Sequence, residues 1–148
     1  MSEYLKYIPI IIPSILGYGM ALFCNVGSNS GAIVNFRPPP IVFSIVWTIL
    51  YILLGISWYC ALEDNDLDKN KVNMFYILLN IFLCLWVYIY SCKNNKKTGI
   101  YIIILCIIFS LFCYTVGNLN SKLLIVPLIG WLLLATLLNV FEVEKLNI

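Results

Sequence analysis

Aromatic and amide side chains recur at four-residue intervals, a spacing that suits a binding surface for a flat ligand. Pro127, Trp131, Ala135 and Asn139 form one such series. Residues four apart lie along one side of a helix, so the series predicts an aromatic wall, a small residue that permits close approach and an amide that forms hydrogen bonds. The same pattern also suits helix packing in a membrane, where small residues and polar groups hold helices together.

Four further residues outside this series could contact a ligand. Trp47 and Tyr51 are one helical turn apart and predict a second aromatic surface with a phenol at its edge. Asn80 lies in an apolar stretch where an unpaired amide is costly, so we expect it to bond to another helix or to a ligand. Arg37 could meet a ligand carboxylate or extend to the membrane interface. The candidate ligand-binding residues are therefore Arg37, Trp47, Tyr51, Asn80, Trp131, Ala135 and Asn139.

Residues for acid–base or metal chemistry are scarce. The chain has no histidine, and its long apolar stretches contain no carboxylate, which removes the usual general bases, proton relays and haem ligands. The six cysteines include no CxxC pair. We predict no catalytic residue, no metal site and no covalent cofactor, and we expect the cysteines to be inert, small buried hydrophobes.

Composition indicates that these side chains act inside a membrane. Of the 148 residues, 62% are hydrophobic and 11% are charged, against about half and about a quarter in soluble domains. Five charge-free windows are each long enough to cross the hydrocarbon layer as a helix. They cover approximately residues 7–25, 40–62, 72–92, 99–117 and 123–141. The sequence predicts an all-α integral membrane bundle of five transmembrane helices, forming a single domain over residues 1–148.

The segments between the windows carry the charges. Because the net charge is only +2 and the basic residues are scattered, nucleic acid is not an expected partner. The connection with Lys93, Lys96 and Lys97 is interpreted as a solvated linker that favours the cytoplasm, and the C-terminus lies on the same side. The long connection 25–39 could act as a lid. Trp58 is interpreted as a membrane-interface anchor.

Two blocks of sequence are distinctive: RPPPIVFSIVWTILYILLG, residues 37–55, and PLIGWLLLATLLN, residues 127–139. The first resembles the entry to the second helix, and the second resembles the fifth helix, of the TspO/MBR family of translocator and tryptophan-rich sensory proteins. There are also departures. The first connection lacks the tryptophan–tyrosine pair of the family, Leu83 stands where a third-helix tryptophan is expected, and Trp86 follows three residues later.

The resemblance implies a membrane receptor or carrier that binds porphyrins and related planar apolar ligands, sterols included, within the helix bundle. Porphyrin or haem would be a ligand, and the location would be the outer mitochondrial membrane or another cellular membrane. Homodimerisation stays open. Two alternatives also remain: a structural or interaction protein that keeps the bundle without the ligand, and an enzyme that degrades porphyrin with light through Trp47 and Trp131.

Overall fold

Five long helices form the protein in a computed structural model that describes residues 3–24, 35–36 and 38–146. The helices are α1 (Ile8–Phe23), α2 (Pro40–Glu63), α3 (Lys69–Val87), α4 (Lys96–Val116) and α5 (Leu119–Leu146). A 3₁₀ turn, Glu3–Tyr7, precedes α1, and a π-helix, Tyr88–Cys92, continues α3. Within the described ranges no strand occurs, and five helical spans are long and apolar enough to cross a membrane, the first of them running from Tyr4 in the 3₁₀ turn to Phe23. The prediction of an all-α five-helix membrane bundle is confirmed.

The helices begin where proline or a short polar side chain satisfies the first turn. Pro40 opens α2, at a position where the missing N–H of proline costs nothing. Asp68, Asn95 and Asn118 stand immediately before α3, α4 and α5, and each side-chain oxygen accepts a hydrogen bond from a first-turn backbone N–H. Each cap therefore pairs a backbone N–H that the helix itself leaves without a partner.

The helices are arranged in the order α1, α2, α5, α4 and α3 around the bundle. Close contact between α1 and α2 depends on glycine. A Cβ at Gly55 would overlap the backbone carbonyl of Ile10, and a Cβ at Gly17 would overlap the ring of Tyr51. The two helices therefore approach closely because these positions carry no side chain.

Polar contacts hold the end of the bundle where α2 finishes. The Ser57 hydroxyl bonds to the hydroxyl of Tyr76 at 2.6 Å and donates to the backbone carbonyl of Ser121 at 2.7 Å. The indole N–H of Trp58 donates to Asn73 Oδ1 at 2.9 Å. Because Trp58 is only 3% exposed and bonds within the protein, its interpretation as an interface anchor is wrong.

Two of the cysteines are joined. Cys24, directly after α1, and Cys92, the last residue of the π-helix, form a disulfide with a Cα–Cα distance of 5.1 Å. The expectation that all six cysteines are inert is therefore wrong for this pair, because the fold brings together two residues that are 68 positions apart. The remaining thiols in the described part of the chain are Cys60, Cys84, Cys106 and Cys113.

Candidate functional site

A cavity of about 140 Å³ lies between α1, α2 and α3, towards the end of the bundle where α1 finishes and α2 begins. Its lining is mainly apolar and aromatic, with a few hydroxyl groups. The lining residues are Gly17, Tyr18, Ala21, Phe43, Ser44, Trp47, Thr48, Tyr51, Trp86 and Val87. We call this space the α1–α3 cavity.

Stacked aromatic rings form one side of the α1–α3 cavity. Trp47 stacks on Tyr51, with ring centroids 5.5 Å apart, and lies 6.1 Å from Trp86 across the boundary between α2 and α3. Trp86 in turn stacks on Tyr90 at 4.8 Å. Flat polarisable rings at these separations favour contact with another flat ring. Trp86 and Tyr90 were not predicted as site residues, although they have the same four-residue spacing as Trp47 and Tyr51.

Hydroxyl groups provide the polar part of the cavity lining. The Tyr18 hydroxyl donates to Thr48 Oγ1 at 2.8 Å, and Thr48 Oγ1 donates to the backbone carbonyl of Ser44, also at 2.8 Å. Tyr18 is exposed, so this chain of hydrogen bonds lies at the cavity edge rather than in its interior. Such groups can orient an otherwise apolar ligand by its polar substituents.

Trp131 lies behind the α1–α3 cavity. Its ring meets Phe43 edge-on, with centroids 5.5 Å apart, and meets Trp47 edge-on at 6.4 Å. It lines a different depression of about 320 Å³ on the outer face between α2 and α5, beside Pro127 and Gly130. The structure thus places Trp131 against the back of Trp47 and leaves it off the cavity lining.

Asn139 fixes the position of Trp86. Its Oδ1 accepts a hydrogen bond from the Trp86 indole N–H at 3.3 Å, and its amide donates to the backbone carbonyl of Lys96 at 2.8 Å. Gly99 lies beside this amide, and a Cβ there would come within 3.0 Å of Asn139 Oδ1. Asn139 is fully buried, so it contributes to the site by orienting one aromatic wall.

A buried ion pair continues this network to the end of the bundle. Lys96 Nζ lies 3.8 Å from a Glu142 carboxylate oxygen and 3.5 Å from the centroid of the Tyr90 ring. The Tyr90 hydroxyl also bonds to Glu142. Lys96 and Glu142 are only 6% and 3% exposed. The interpretation of Lys96 as part of a solvated linker is therefore wrong, because α4 begins at this residue and turns it inward.

The other predicted site residues lie away from the cavity or outside the described part of the chain. Asn80 is buried, and its amide donates to the carbonyl of Tyr76 on its own helix at 2.8 Å. Ala135 is buried in the core of the bundle. Arg37 falls outside the described residues, as does most of the predicted lid, residues 25–34. The described residues contain no group of three or more side chains suited to a metal ion.

These features define a class of protein: a five-helix membrane bundle with an aromatic cavity between its first three helices. The sequence profile of the TspO/MBR family matches residues 11–142, and the chain belongs to this family. Its relatives include the tryptophan-rich protein TspO of Archaeoglobus fulgidus, 30% identical over 115 residues that cover 76% of this chain and 74% of that protein. The protein of the same name from Chlorobaculum tepidum is 30% identical over 119 residues, with coverage of 76% and 74%.

Proposed function

We propose that the protein is a membrane receptor or carrier for porphyrins and related planar apolar ligands, which bind in the α1–α3 cavity. The observation that carries this proposal is the row of aromatic rings, Tyr51, Trp47 and Trp86, along one cavity wall. Because this wall spans two helices and Asn139 fixes the position of Trp86, it offers an ordered aromatic surface. Sterols share the apolar character of this ligand class.

The cavity must widen before a porphyrin can be enclosed. Its volume of about 140 Å³ is below the roughly 300 to 1,000 Å³ of pockets that enclose small-molecule ligands. α1 is the helix best able to move, because only 17% of its span is buried, against 33 to 39% for the other four. Binding therefore involves displacement of α1 from the aromatic wall.

Protoporphyrin titration of the purified protein in lipid nanodiscs tests the proposal through changes in porphyrin absorbance. Trp47→Leu keeps apolar bulk but removes stacking of about 0.5 to 1.5 kcal/mol, so the dissociation constant should rise about 2- to 12-fold. Trp131→Leu should have a smaller effect, because Trp131 contacts the cavity wall only through Phe43 and Trp47. Tyr101→Leu is the control, since Tyr101 lies on α4 and is 64% exposed.

Four outcomes separate the candidate functions. Binding that Trp47→Leu weakens supports the receptor or carrier. Equal binding by the wild type and Trp47→Leu would show that the aromatic wall is not the site. Absence of binding by the folded wild type would favour a structural protein, and chemical conversion of bound porphyrin under illumination would favour the enzyme.

We also propose that the C-terminus faces the cytoplasm. Lys93 and Lys97 are exposed at the end of the bundle that contains the end of α5, and lysine-rich connections favour the cytoplasmic side. Burial of Lys96 removes one charge from the three on which this orientation was predicted. Reporter fusions at both termini test the orientation, and a cytoplasmic signal from the N-terminal fusion alone would reverse it.

A further inference from the structure

The Cys24–Cys92 disulfide joins the two helices that face each other across the α1–α3 cavity. On α1, the cavity lining ends at Ala21, three residues before Cys24. On α3, it ends at Val87, five residues before Cys92. The disulfide therefore lies at the edge of the cavity, between its α1 wall and its α3 wall.

This covalent link lies where the packing of α1 is sparse. α1 packs mainly along α2, through the close approach at Gly55, and makes fewer contacts with α3. A planar ligand that enters the cavity from the membrane must separate two of its walls. The boundary between α1 and α3 is the less extensive of the two boundaries of α1, and it is the one that the disulfide closes.

The α3 side of the link is held firmly. Cys92 ends the π-helix, where the Lys93 N–H donates to the Tyr88 carbonyl, five residues earlier, at 3.0 Å. Within that π-helix, the buried Tyr90 bonds to Glu142 on α5. The disulfide thus ties α1, the least buried helix, to a segment that is already fixed to the rest of the bundle.

The two cysteines differ in accessibility. Cys92 is exposed and Cys24 is buried, so a small thiol or disulfide from solution meets Cys92 first. The Phe23 carbonyl oxygen lies 3.4 Å from Cys92 Sγ, where it can accept a hydrogen bond from the thiol after reduction. Because one partner is exposed and the other is buried, we expect Cys92 to form a mixed disulfide with the external reagent and Cys24 then to displace that reagent.

We propose that Cys24 and Cys92 form a redox-controlled latch that governs ligand exchange with the α1–α3 cavity. The oxidised pair holds α1 against α3 and slows exchange, and the reduced pair lets α1 move. The idea rests on the proposed binding function of that cavity. The Cys24–Cys92 disulfide forms by thiol–disulfide exchange with a small-molecule disulfide such as oxidised glutathione. Cys92 forms a mixed disulfide and releases one glutathione thiol, and Cys24 then displaces the second, so two protein thiols are oxidised as one glutathione disulfide is reduced.

Stopped-flow mixing of the full-length protein in nanodiscs with protoporphyrin tests the latch. Glutathione buffers set the redox state, and peptide mass spectrometry verifies the Cys24–Cys92 linkage. We expect association and dissociation to be about tenfold slower in the oxidised form, equivalent to a barrier higher by about 1.4 kcal/mol, with a dissociation constant changed less than about twofold. A disulfide that only stabilises the fold would leave both rates unchanged.

Cysteine variants supply matched controls. Cys24→Ser and Cys92→Ser should exchange ligand at the rate of the reduced wild type in every glutathione buffer. Cys84→Ser removes a half-buried thiol that is not in the disulfide, and should keep the full redox response. If either latch variant fails to fold, the comparison of oxidised and reduced wild type remains decisive because it needs no substitution.

Hydrogen exchange in the last turn of α1 separates failure of the latch from failure of the binding function. If reduction speeds hydrogen exchange there but neither redox form binds porphyrin, the redox control of α1 would stand and the proposed ligand would be wrong. Equal hydrogen exchange and equal rates of porphyrin association and dissociation in the verified oxidised and reduced proteins would overturn the latch. Absence of the Cys24–Cys92 linkage under oxidising glutathione would also overturn it.

Discussion

The ion pair between Lys96 and Glu142 should show strong energetic coupling. The two charged groups are 3.8 Å apart with almost fully buried side chains, and two unit charges near 4 Å attract by about 4 kcal/mol at an effective dielectric constant of 20. Removal of one partner leaves the other charge buried, at a cost of about 3 to 5 kcal/mol. Removal of both should cost no more than either single change.

A double-mutant cycle measures this coupling. Lys96→Met keeps most of the apolar stem, and Glu142→Gln keeps an oxygen that can accept from Tyr90. We expect each single variant to lose about 3 kcal/mol of unfolding free energy and the double variant to lose about the same, which gives a coupling of about 3 kcal/mol. Titration of the detergent-solubilised protein with sodium dodecyl sulfate, followed by far-ultraviolet circular dichroism, gives the four free energies.

Exposed neighbours provide the controls for the cycle. Lys97 and Glu144 lie beside the pair in sequence and are exposed, so Lys97→Met and Glu144→Gln should change stability by less than about 0.5 kcal/mol. Additive effects of Lys96→Met and Glu142→Gln, with coupling below about 0.5 kcal/mol, would refute the buried ion pair. They would favour the earlier interpretation of Lys96 as part of a solvated linker.

Three other predictions follow from single contacts. Gly55→Ala would place a methyl group on the Ile10 carbonyl and should destabilise the protein by about 1 to 3 kcal/mol in thermal melting, whereas Gly130→Ala, with open space around it, should not. Asn139→Leu leaves the Trp86 indole N–H unpaired and should cost about 1 to 3 kcal/mol in the same assay, and an unchanged melting temperature would argue against that bond. Protoporphyrin and its iron complex should bind comparably in titrations, because no histidine is present to ligate iron; a strong preference for the iron complex would indicate a tyrosine or cysteine ligand.

Local sequence patterns were sufficient to predict the helices. Long charge-free windows can satisfy their backbone groups in lipid only as helices or closed barrels, so five windows predict five spans. The main difference is α5, which begins four residues before its window and runs five residues beyond it. The predicted window ended at residue 141, before Glu142, because a charged residue was taken to lie outside the membrane. Glu142 instead turns inward and pairs with Lys96.

Spacing along one helix predicted which residues share a side, but not what that side contacts. Trp47 and Tyr51 were predicted together and do line the cavity together. Trp131 has the same four-residue spacing within its series, yet its side of α5 faces the depression next to α2. Spacing does not predict this, because the rotation of a helix about its axis depends on the helices packed against it. Contacts between distant residues, such as Cys24 with Cys92, leave no periodic trace in the sequence.

The walls of the α1–α3 cavity differ in how firmly they are held, and this difference determines how the cavity can open. Trp86 is fixed by Asn139, and the π-helix beyond it is fixed by Tyr90 and the ion pair. The α1 wall has no comparable polar anchor among the contacts described, other than the Tyr18–Thr48 hydrogen bond and the disulfide. Trp86 cannot move without breaking its buried hydrogen bond to Asn139, so a planar ligand of the proposed class would have to displace α1. The proposed latch between Cys24 and Cys92 would then control that displacement.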